Sequence, residues 1–176
     1  PRAEDGGYYL FLSRLVDVKG VEMLIKAWDR MAVELGKKPP ELQIAGEGPL
    51  EHMVRDAAAS NPHVRFLGMI SGDAKRDALR CCRAVMIPSL WWEPFGLVAC
   101  EAYDHGKPVI AAASGGLTET VRDGVTGFLH PPGDVNELVR EVMAMDALPA
   151  ERRAAMGAAG RQWLLENTGV ERWKQR

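Results

Sequence analysis

The sequence predicts an α/β protein, a doubly wound Rossmann-type parallel sheet of about six strands with helices on both faces. Three observations lead to this prediction. Short apolar runs alternate with longer helical patterns along the chain. The runs are apolar at successive positions, as in Ala84–Ile87, which is typical of parallel strands covered on both faces. Glycines cluster in the segments that follow these runs, where such folds bind their ligands.

The elements follow in order from apolar runs and their boundaries. The predicted strands are Tyr8–Leu12, Glu41–Ala45, Val64–Leu67, Ala84–Ile87, Val109–Ala112 and Gly127–Leu129. The predicted helices cover about Gly20–Glu34, Pro49–Ala58, Asp73–Cys81, Gly96–His105, Gly116–Val121, Val135–Ala144 and Ala150–Asn167. Proline and glycine support several boundaries: Pro39 and Pro40 precede the second strand, and Gly106 follows the fourth helix.

Length and composition indicate one ordinary globular domain. The chain has 176 residues, of which 47% are hydrophobic and 26% charged. Its formal net charge of −2 gives no general attraction to nucleic acid or to an anionic membrane, so any anion site must be local. Residues 1–7 have the composition of a linker and lead directly into the first strand. We therefore expect an interdomain linker remnant over residues 1–7 and a domain over residues 8–167.

The cysteines and histidines do not form a recognisable metal or disulfide pattern. The three cysteines are Cys81, Cys82 and Cys100, with no CxxC spacing, which favours a reducing, cytoplasmic setting. The four histidines show no metal spacing, so we expect no metal and no cofactor. No signal peptide or membrane-spanning segment is evident in the sequence, and we expect no membrane contact from this domain.

Two carboxylates in one segment are the most informative feature. Glu93 precedes the turn Phe95-Gly96-Leu97, which opens the fourth helix, and Glu101 lies in the following turns of that helix. A helix N-terminus can hold an anionic phosphate, and Gly96 would leave room for it. Glu93 and Glu101 would then grip hydroxyl groups on either side of the phosphate. The apolar neighbours of Glu101 predict a largely buried helix, in which a carboxylate needs partners.

Two cations flank the first strand–helix turn. Arg14 offers a planar fork for a phosphate, and Lys19 supplies a mobile point charge. Together they could neutralise a diphosphate. Two ordinary surface cations near a helix start would explain the same pattern, and the two residues alone do not decide between these interpretations.

Two glycine pairs follow other strands. Gly46 and Gly48 permit close backbone approach, although on their own they are better explained by a plain turn. Gly115 and Gly116 could add backbone donors to the same site, and a tight turn explains them equally well. The dinucleotide pattern GxGxxG does not follow the first strand, which argues against an NAD or FAD module. Trp91 and Trp92 could frame a sugar or pack, and we expect one to be buried and the other partly exposed.

The ordered motifs resemble those of one family over residues 8 to about 167. The chain is similar to the C-terminal, donor-binding domain of a retaining group 1 glycosyltransferase with the two-domain GT-B fold. The matching pieces, in order, are Ser13-Arg14-Leu15 with Lys19-Gly20, Ile44–Pro49, Val64–Gly68, Pro88-Ser89, Glu93–Ala102, Gly106–Ala111, Gly115–Glu119 and Gly124–Gly127. Tyr103-Asp104-His105 departs from the smaller residues common after the second glutamate.

This resemblance implies roles for individual residues. Arg14 and Lys19 would bind the donor diphosphate, Glu93 the sugar hydroxyl groups and Glu101 the ribose. Backbone amides at Phe95, Gly96 and Leu97 would contact the phosphate and sugar, and the loop around Met69 and Ile70 would meet the nucleobase.

The resemblance also implies a larger enzyme. The family needs an N-terminal acceptor domain, and we expect that domain to be absent from this chain. Residues 168–176 would begin the segment that returns to that domain. The chain would then bind the nucleotide-sugar donor but transfer little or nothing alone.

Two other functions remain open from the residues. One is a non-catalytic nucleotide-binding module that keeps the fold without sugar transfer. The other is a glycoside hydrolase that uses Glu93 and Glu101 as an acid/base pair, since paired carboxylates at about 5–9.5 Å serve that reaction.

Overall fold

The computed structural model describes residues 5–33 and 38–168 of the chain. The strands are β1 Tyr8–Leu12, β2 Glu41–Ala45, β3 Val64–Gly68, β4 Ala84–Ile87, β5 Val109–Ala112 and β6 Gly127–His130. The helices are α1 Val21–Val33, α2 Glu51–Ser60, α3 Gly72–Cys81, α4 Leu97–Asp104, α5 Leu117–Thr120, α6 Val135–Ala147 and α7 Ala150–Thr168.

The six strands form one parallel sheet in the order β3-β2-β1-β4-β5-β6. The predicted doubly wound architecture is therefore confirmed. The chain builds outward from β1 to β3, then returns to the centre and builds outward again from β4 to β6. β1 and β4 are neighbours, so the strand order reverses between them. A crevice forms at the carboxyl edge of such a reversal, and ligands bind there in open α/β sheets.

Both faces of the sheet are covered because its strands carry apolar side chains at successive positions. One core lies between the sheet and α1, α2 and α6, with Trp28 fully buried against Tyr9. The other lies under α3, α4 and α5, and α7 packs on α4 through an edge-to-face contact of Tyr103 with Trp163. Tyr103, the departure noted in the sequence, is thus a core residue whose hydroxyl bonds Thr126 at 2.8 Å.

The predicted boundaries differ from the observed ones by small amounts. β3 and β6 each extend one residue further, and α6 continues to Ala147. A short 3-10 turn, Asp17–Lys19, interrupts the loop after β1 and was not predicted. Residues 1–4, Glu34 and residues 169–176, which carry parts of the linker, first-helix and return-segment predictions, lie outside the described residues.

The end of the predicted linker is attached to the domain. Asp5 accepts hydrogen bonds from the Gly7 amide at 2.9 Å and from Arg153 at 2.6 Å, and Arg83 lies 3.2 Å from the same carboxylate. Arg83 also pairs with Asp146. Residues 5–7 are therefore held against the residue that precedes β4 and against α7. No helix within the described ranges is long and apolar enough to cross a membrane.

Candidate functional site

A small pocket opens at the carboxyl edge of the sheet, between the ends of β1 and β4. Its lining includes Ser13, Lys19, Ser89, Glu93 and Gly96. The pocket thus lies at the reversal of strand order, where the fold leaves a crevice. Three of the residues predicted for the site, Lys19, Glu93 and Gly96, meet in it.

Lys19 and Glu93 form an ion pair in this pocket. Lys19 Nζ donates to Glu93 Oε2 at 2.6 Å, and Ser89 Oγ donates to the same oxygen at 3.1 Å. The side chains of Lys19 and Glu93 are only 23% and 17% exposed. The 3-10 turn after β1 positions Lys19, and Ser89, which is 2% exposed, lies two residues after the end of β4. The pocket therefore offers a cation and a carboxylate side by side.

Arg14 lies outside this pair, exposed on the loop that follows β1. Within the described residues its guanidinium makes no hydrogen bond or ion pair. The loop after β2 is hydrogen-bonded to the loop that carries Arg14: the Leu15 amide donates to the Glu47 carbonyl at 2.8 Å. A Cβ at Gly46 would lie 1.8 Å from the Ser13 carbonyl oxygen, and one at Gly48 would lie 2.5 Å from the Leu15 carbonyl oxygen. These glycines thus allow the loops after β1 and β2 to pack closely, which holds the backbone on both sides of Arg14.

Gly115 and Gly116 pack in a similar way against the loop that carries Glu93. The Gly116 amide donates to the Glu93 carbonyl at 2.7 Å, and a Cβ at Gly116 would lie 2.5 Å from the Pro94 carbonyl oxygen. Ser114 Oγ donates to the Trp91 carbonyl at 2.8 Å. The loop after β5 therefore fixes the backbone on both sides of Glu93.

The start of α4 faces outward at this edge. Gly96 occupies the N-cap position with φ 75°, and Phe95 and Leu97 beside it are 47% and 69% exposed. The first amides of a helix lack partners within the helix and carry the positive end of its dipole. This turn can therefore hold an anion that enters the pocket beside Lys19.

Glu101 lies further along α4 and has a lysine partner of its own. Lys75 Nζ, on α3, donates to Glu101 Oε1 at 2.8 Å, and the two side chains are 32% and 39% exposed. The expected burial of Glu101 was wrong, because α4 buries Ala99, Ala102 and Tyr103 and leaves the face of Glu101 half open. Glu101 does not line the pocket that holds Lys19 and Glu93, but its partly exposed carboxylate is accessible to a ligand.

The remaining predicted residues also lie at this edge. Met69 and Ile70 follow β3, with Met69 68% exposed and Ile70 packed against the core. Trp91 and Trp92 are 70% and 71% exposed, so the expectation that one of them is buried was wrong. Their backbone is held at the Trp91 carbonyl, while the indoles project into solvent.

The described titratable groups beside the site include no reactive thiolate and no metal-binding cluster. Burial raises the pKa of the Cys100 thiol, and the negative charge of Glu101 raises it further. Cys100 therefore stays protonated at neutral pH. In the described part of the chain, no cluster of histidine, cysteine and acidic residues is placed to hold a metal ion.

Lys75, Ser89 and Ser114 received no role from sequence reasoning, although each contacts the site. Ser89 and Ser114 belong to motifs recognised in the sequence, Pro88-Ser89 and the segment before Gly115, and they could have been found there. Lys75 lies in a charged helix, α3, among residues that pair with one another, and nothing in its spacing distinguishes it.

The family model of the group 1 glycosyl transferases matches residues 1–163 of the chain. The chain belongs to this family. The match covers every loop that contributes to the pocket.

Two curated relatives show how far the similarity of this group 1 glycosyl transferase extends. It is 38% identical to the GDP-mannose-dependent alpha-(1-6)-phosphatidylinositol monomannoside mannosyltransferase of Mycolicibacterium smegmatis, over 89% of this chain and 42% of the relative. It is 37% identical to the D-inositol 3-phosphate glycosyltransferase of a Nocardioides species, over 88% of this chain and 37% of the relative. The chain therefore spans less than half the length of these relatives.

Solved structures include the same fold within longer chains. The Anabaena protein Alr3699/HepE in complex with UDP superposes with a TM-score of 0.78 at 28% identity, over 96% of this chain and 46% of that one. The same Anabaena protein has been solved with UDP-glucose.

Proposed function

We propose that this chain is the donor-binding half of a retaining glycosyltransferase, which transfers a sugar from a nucleoside-diphosphate sugar to an acceptor. One observation carries the proposal: the Lys19 ammonium and the Glu93 carboxylate meet in one pocket beside the start of α4. The cation and the helix start can bind a diphosphate, and the carboxylate can accept hydrogen bonds from the hydroxyl groups of a sugar. The Mycolicibacterium relative is described as GDP-mannose-dependent, and the Anabaena structures contain UDP and UDP-glucose, which supports this class of donor.

The diphosphate lies between Arg14, Lys19 and the first turn of α4. Arg14 gives a bidentate contact, since it has no competing partner in the described residues, and Lys19 adds a second charge. Backbone amides at Phe95, Gly96 and Leu97 complete the anion site. As the glycosidic bond breaks, negative charge grows on the leaving phosphate, and these fixed positive groups stabilise it. In this scheme, the residues of the chain do the work of a metal ion.

The two carboxylates hold the two sugars of the donor. Glu93 accepts hydrogen bonds from hydroxyl groups of the transferred sugar, and Glu101 accepts them from the ribose. The four loop glycines, Gly46, Gly48, Gly115 and Gly116, bring the surrounding backbones close enough to shape this pocket. The loop at Met69 and Ile70 lies next to α3, on the Glu101 side, and is the place for the nucleobase. The names of the relatives mention both GDP and UDP, so they leave the base open.

The acceptor site belongs to the rest of the enzyme. The chain spans 42% and 37% of the two curated relatives named above, so the rest of their length leaves room for an N-terminal acceptor domain. We place the linker at residues 1–7, the donor domain at 8–167 and the start of a return segment at 168–176. The isolated chain then binds the donor weakly and transfers little or nothing, and the enzyme works in the cytoplasm.

The hydrolase alternative finds less support. A general acid must carry a proton to the leaving oxygen, whereas Glu93 and Glu101 each accept from a lysine ammonium group. Hydrolysis also gives Arg14 and the start of α4 no phosphate to bind. A non-catalytic nucleotide-binding module uses the same contacts without transfer, and activity of the full-length enzyme distinguishes it from the proposal.

The test is a titration of this chain with UDP, GDP and ADP and with one glucose or mannose derivative of each. One base should bind best, and its sugar derivative should bind at least as tightly as the bare diphosphate. Arg14→Ala should weaken both ligands about 10-fold, since it removes a charged hydrogen-bonding fork. Arg152→Ala is the matched control, because Arg152 is exposed on α7, outside the loops that line the pocket. Absence of binding by every ligand would overturn the proposal.

A further inference from the structure

The ion pair between Lys75 and Glu101 joins two helices at the carboxyl edge. α3 and α4 cover the same face of the sheet, and Lys75 reaches from the first turns of α3 to Glu101 on α4. The other ion pairs of α3, Arg76 with Asp73 and Arg80 with Asp77, stay within the helix. Lys75 is therefore the α3 residue whose charge is directed at the candidate site.

Stability gives little reason for this pair. Both side chains are about one-third exposed, and ion pairs at such positions contribute little to folding because water and salt screen them. The contact does, however, fix the carboxylate. Lys75 occupies Glu101 Oε1, while Oε2 has no hydrogen-bond partner among the described residues. Lys75 thus holds one oxygen, and the other is available to a ligand on a side chain that is 39% exposed.

We propose that Lys75 is a positioning residue that sets the selectivity of this site for ribonucleotides. Its ammonium group holds Oε1 and so presents Oε2 to the ribose hydroxyl groups of the donor. It also offsets the negative charge that Glu101 would otherwise place near a diphosphate. This inference rests on the proposed function, in which Glu101 binds the ribose.

The experiment compares binding of ribose and 2′-deoxyribose diphosphates to this chain. UDP, GDP and ADP are titrated first, and the tightest of them is compared with its 2′-deoxy counterpart by calorimetry or ligand-observed NMR. The unmodified chain should prefer the ribose form about 10-fold, since the deoxy form leaves a charged acceptor unpaired. In Lys75→Met this preference should fall to about 3-fold or less, mainly through weaker binding of the ribose form. Lys75→Arg, which keeps a cation, should restore most of it.

A matched control separates this role from loss of a surface ion pair. Lys26 pairs with Glu22 on α1, at more exposed positions and on the other face of the sheet, so Lys26→Met should leave the preference unchanged. Unfolding temperatures of all variants show whether the fold is intact. An unchanged preference in Lys75→Met would overturn the inference. If both affinities fell by the same factor, Lys75 would contact the base or the phosphate directly instead of positioning Glu101.

Glu101→Gln separates the inference from the proposed function. If this variant loses the preference and Lys75→Met keeps it, Glu101 binds the ribose and only the role of Lys75 is wrong. If neither variant changes it, the assignment of Glu101 to the ribose is wrong as well. If no diphosphate binds to the unmodified chain, the donor site and the inference both fail.

Discussion

Lys19 Nζ lies 2.6 Å from Glu93 Oε2, although the proposed function gives these two residues different parts of the donor. In the structure, the cation assigned to the phosphate is bound by the carboxylate assigned to the sugar. If the proposed function is right, an entering diphosphate must compete with Glu93 for Lys19. A sugar attached to that diphosphate compensates by giving Glu93 new hydrogen bonds. In the proposed function, the pair would thus favour the complete donor over the bare nucleotide.

Glu93→Gln should separate these two ligands. Binding of the nucleotide-sugar should fall about 10-fold, since hydrogen bonds to a charged acceptor are lost. Binding of the bare diphosphate should stay unchanged or tighten by up to about 5-fold, because the variant releases Lys19 from a partly exposed ion pair worth at most about 1 kcal/mol. Calorimetric titration with both ligands measures the two effects.

The control for this prediction is Glu22→Gln, which removes the carboxylate of an exposed ion pair on α1. It should leave both affinities unchanged. Equal losses for the diphosphate and the nucleotide-sugar in Glu93→Gln would remove Glu93 from the sugar site.

Gly115→Ala should displace the loop that carries Glu93. Gly115 has φ 55°, and a Cβ there would lie 2.5 Å from the Glu93 carbonyl oxygen, which is backbone and cannot rotate away. We expect a loss of unfolding free energy of about 2 kcal/mol, the sum of left-handed strain and the clash. Nucleotide-sugar binding should fall more than diphosphate binding. Chemical denaturation and the same titrations measure these quantities.

Gly124→Ala is a close match for that variant. Gly124 has φ 71°, but no atom lies within 4 Å of a Cβ built on it. It should lose about 1 kcal/mol from strain alone and keep its ligand affinities. If the two variants behave alike, contact with the Glu93 loop is not what Gly115 provides.

The sequence predicted the sheet well because its signals are local. Each strand is a short apolar run, and proline or glycine ends several of the helices, so boundaries came within a few residues. The carboxyl-edge location of the site then follows from the topology. The 3-10 turn at Asp17–Lys19 was not predicted because its three residues show no apolar periodicity.

The contacts of the site could be predicted only in part. Lys19 and Glu93 were placed at one site, but their bond depends on the meeting of loops after β1 and β4, 74 residues apart. The partner of Glu101 depends on α3 lying beside α4, which no local pattern encodes. Glu101 and one of the two tryptophans were wrongly expected to be buried, because apolar neighbours in sequence do not reveal which face of an element meets the core.

Asp5→Asn should weaken the attachment of residues 5–7 to the domain. Burial alone would raise the pKa of the Asp5 carboxyl, but the Gly7 amide, Arg153 and Arg83 together outweigh it and hold the pKa below its usual value. A lowered pKa contributes stability above the unfolded pKa that is lost as pH falls through the folded pKa. The variant should lose about 1 kcal/mol at pH 7, and the difference should shrink toward zero at acid pH.

Urea denaturation at several pH values between 3 and 7 measures this difference. Asp73→Asn is the control, because its ion pair with Arg76 is exposed on α3, and it should change stability by less than about 0.5 kcal/mol at every pH. A constant loss in Asp5→Asn across the pH range would assign the effect to packing instead of charge.

Glu141→Gln should stabilise the protein at neutral pH. Glu141 lies on α6 and is 9% exposed, and this burial raises the pKa of its carboxyl group. The guanidinium of Arg140, with Nη2 2.9 Å from Glu141 Oε1, lowers the pKa, whereas the negative charges of Asp123 and Glu137 raise it further. With a raised folded pKa, the native state binds more protons than the unfolded state, so its stability falls as pH rises through that interval. The variant removes this cost, so its free energy of unfolding should rise by about 0.5 kcal/mol at pH 7.

The gain should disappear at pH values below the usual glutamate pKa, where Glu141 is neutral in both states. Glu137→Gln is the matched control: Glu137 also pairs with Arg140, but it lies more exposed in the first turn of α6, where a negative charge favours the helix. It should lose a little stability at neutral pH, the opposite sign. Urea denaturation of both variants at pH 3 and pH 7 measures these differences. A loss in Glu141→Gln at pH 7 would mean that the contact with Arg140 outweighs the cost of burial.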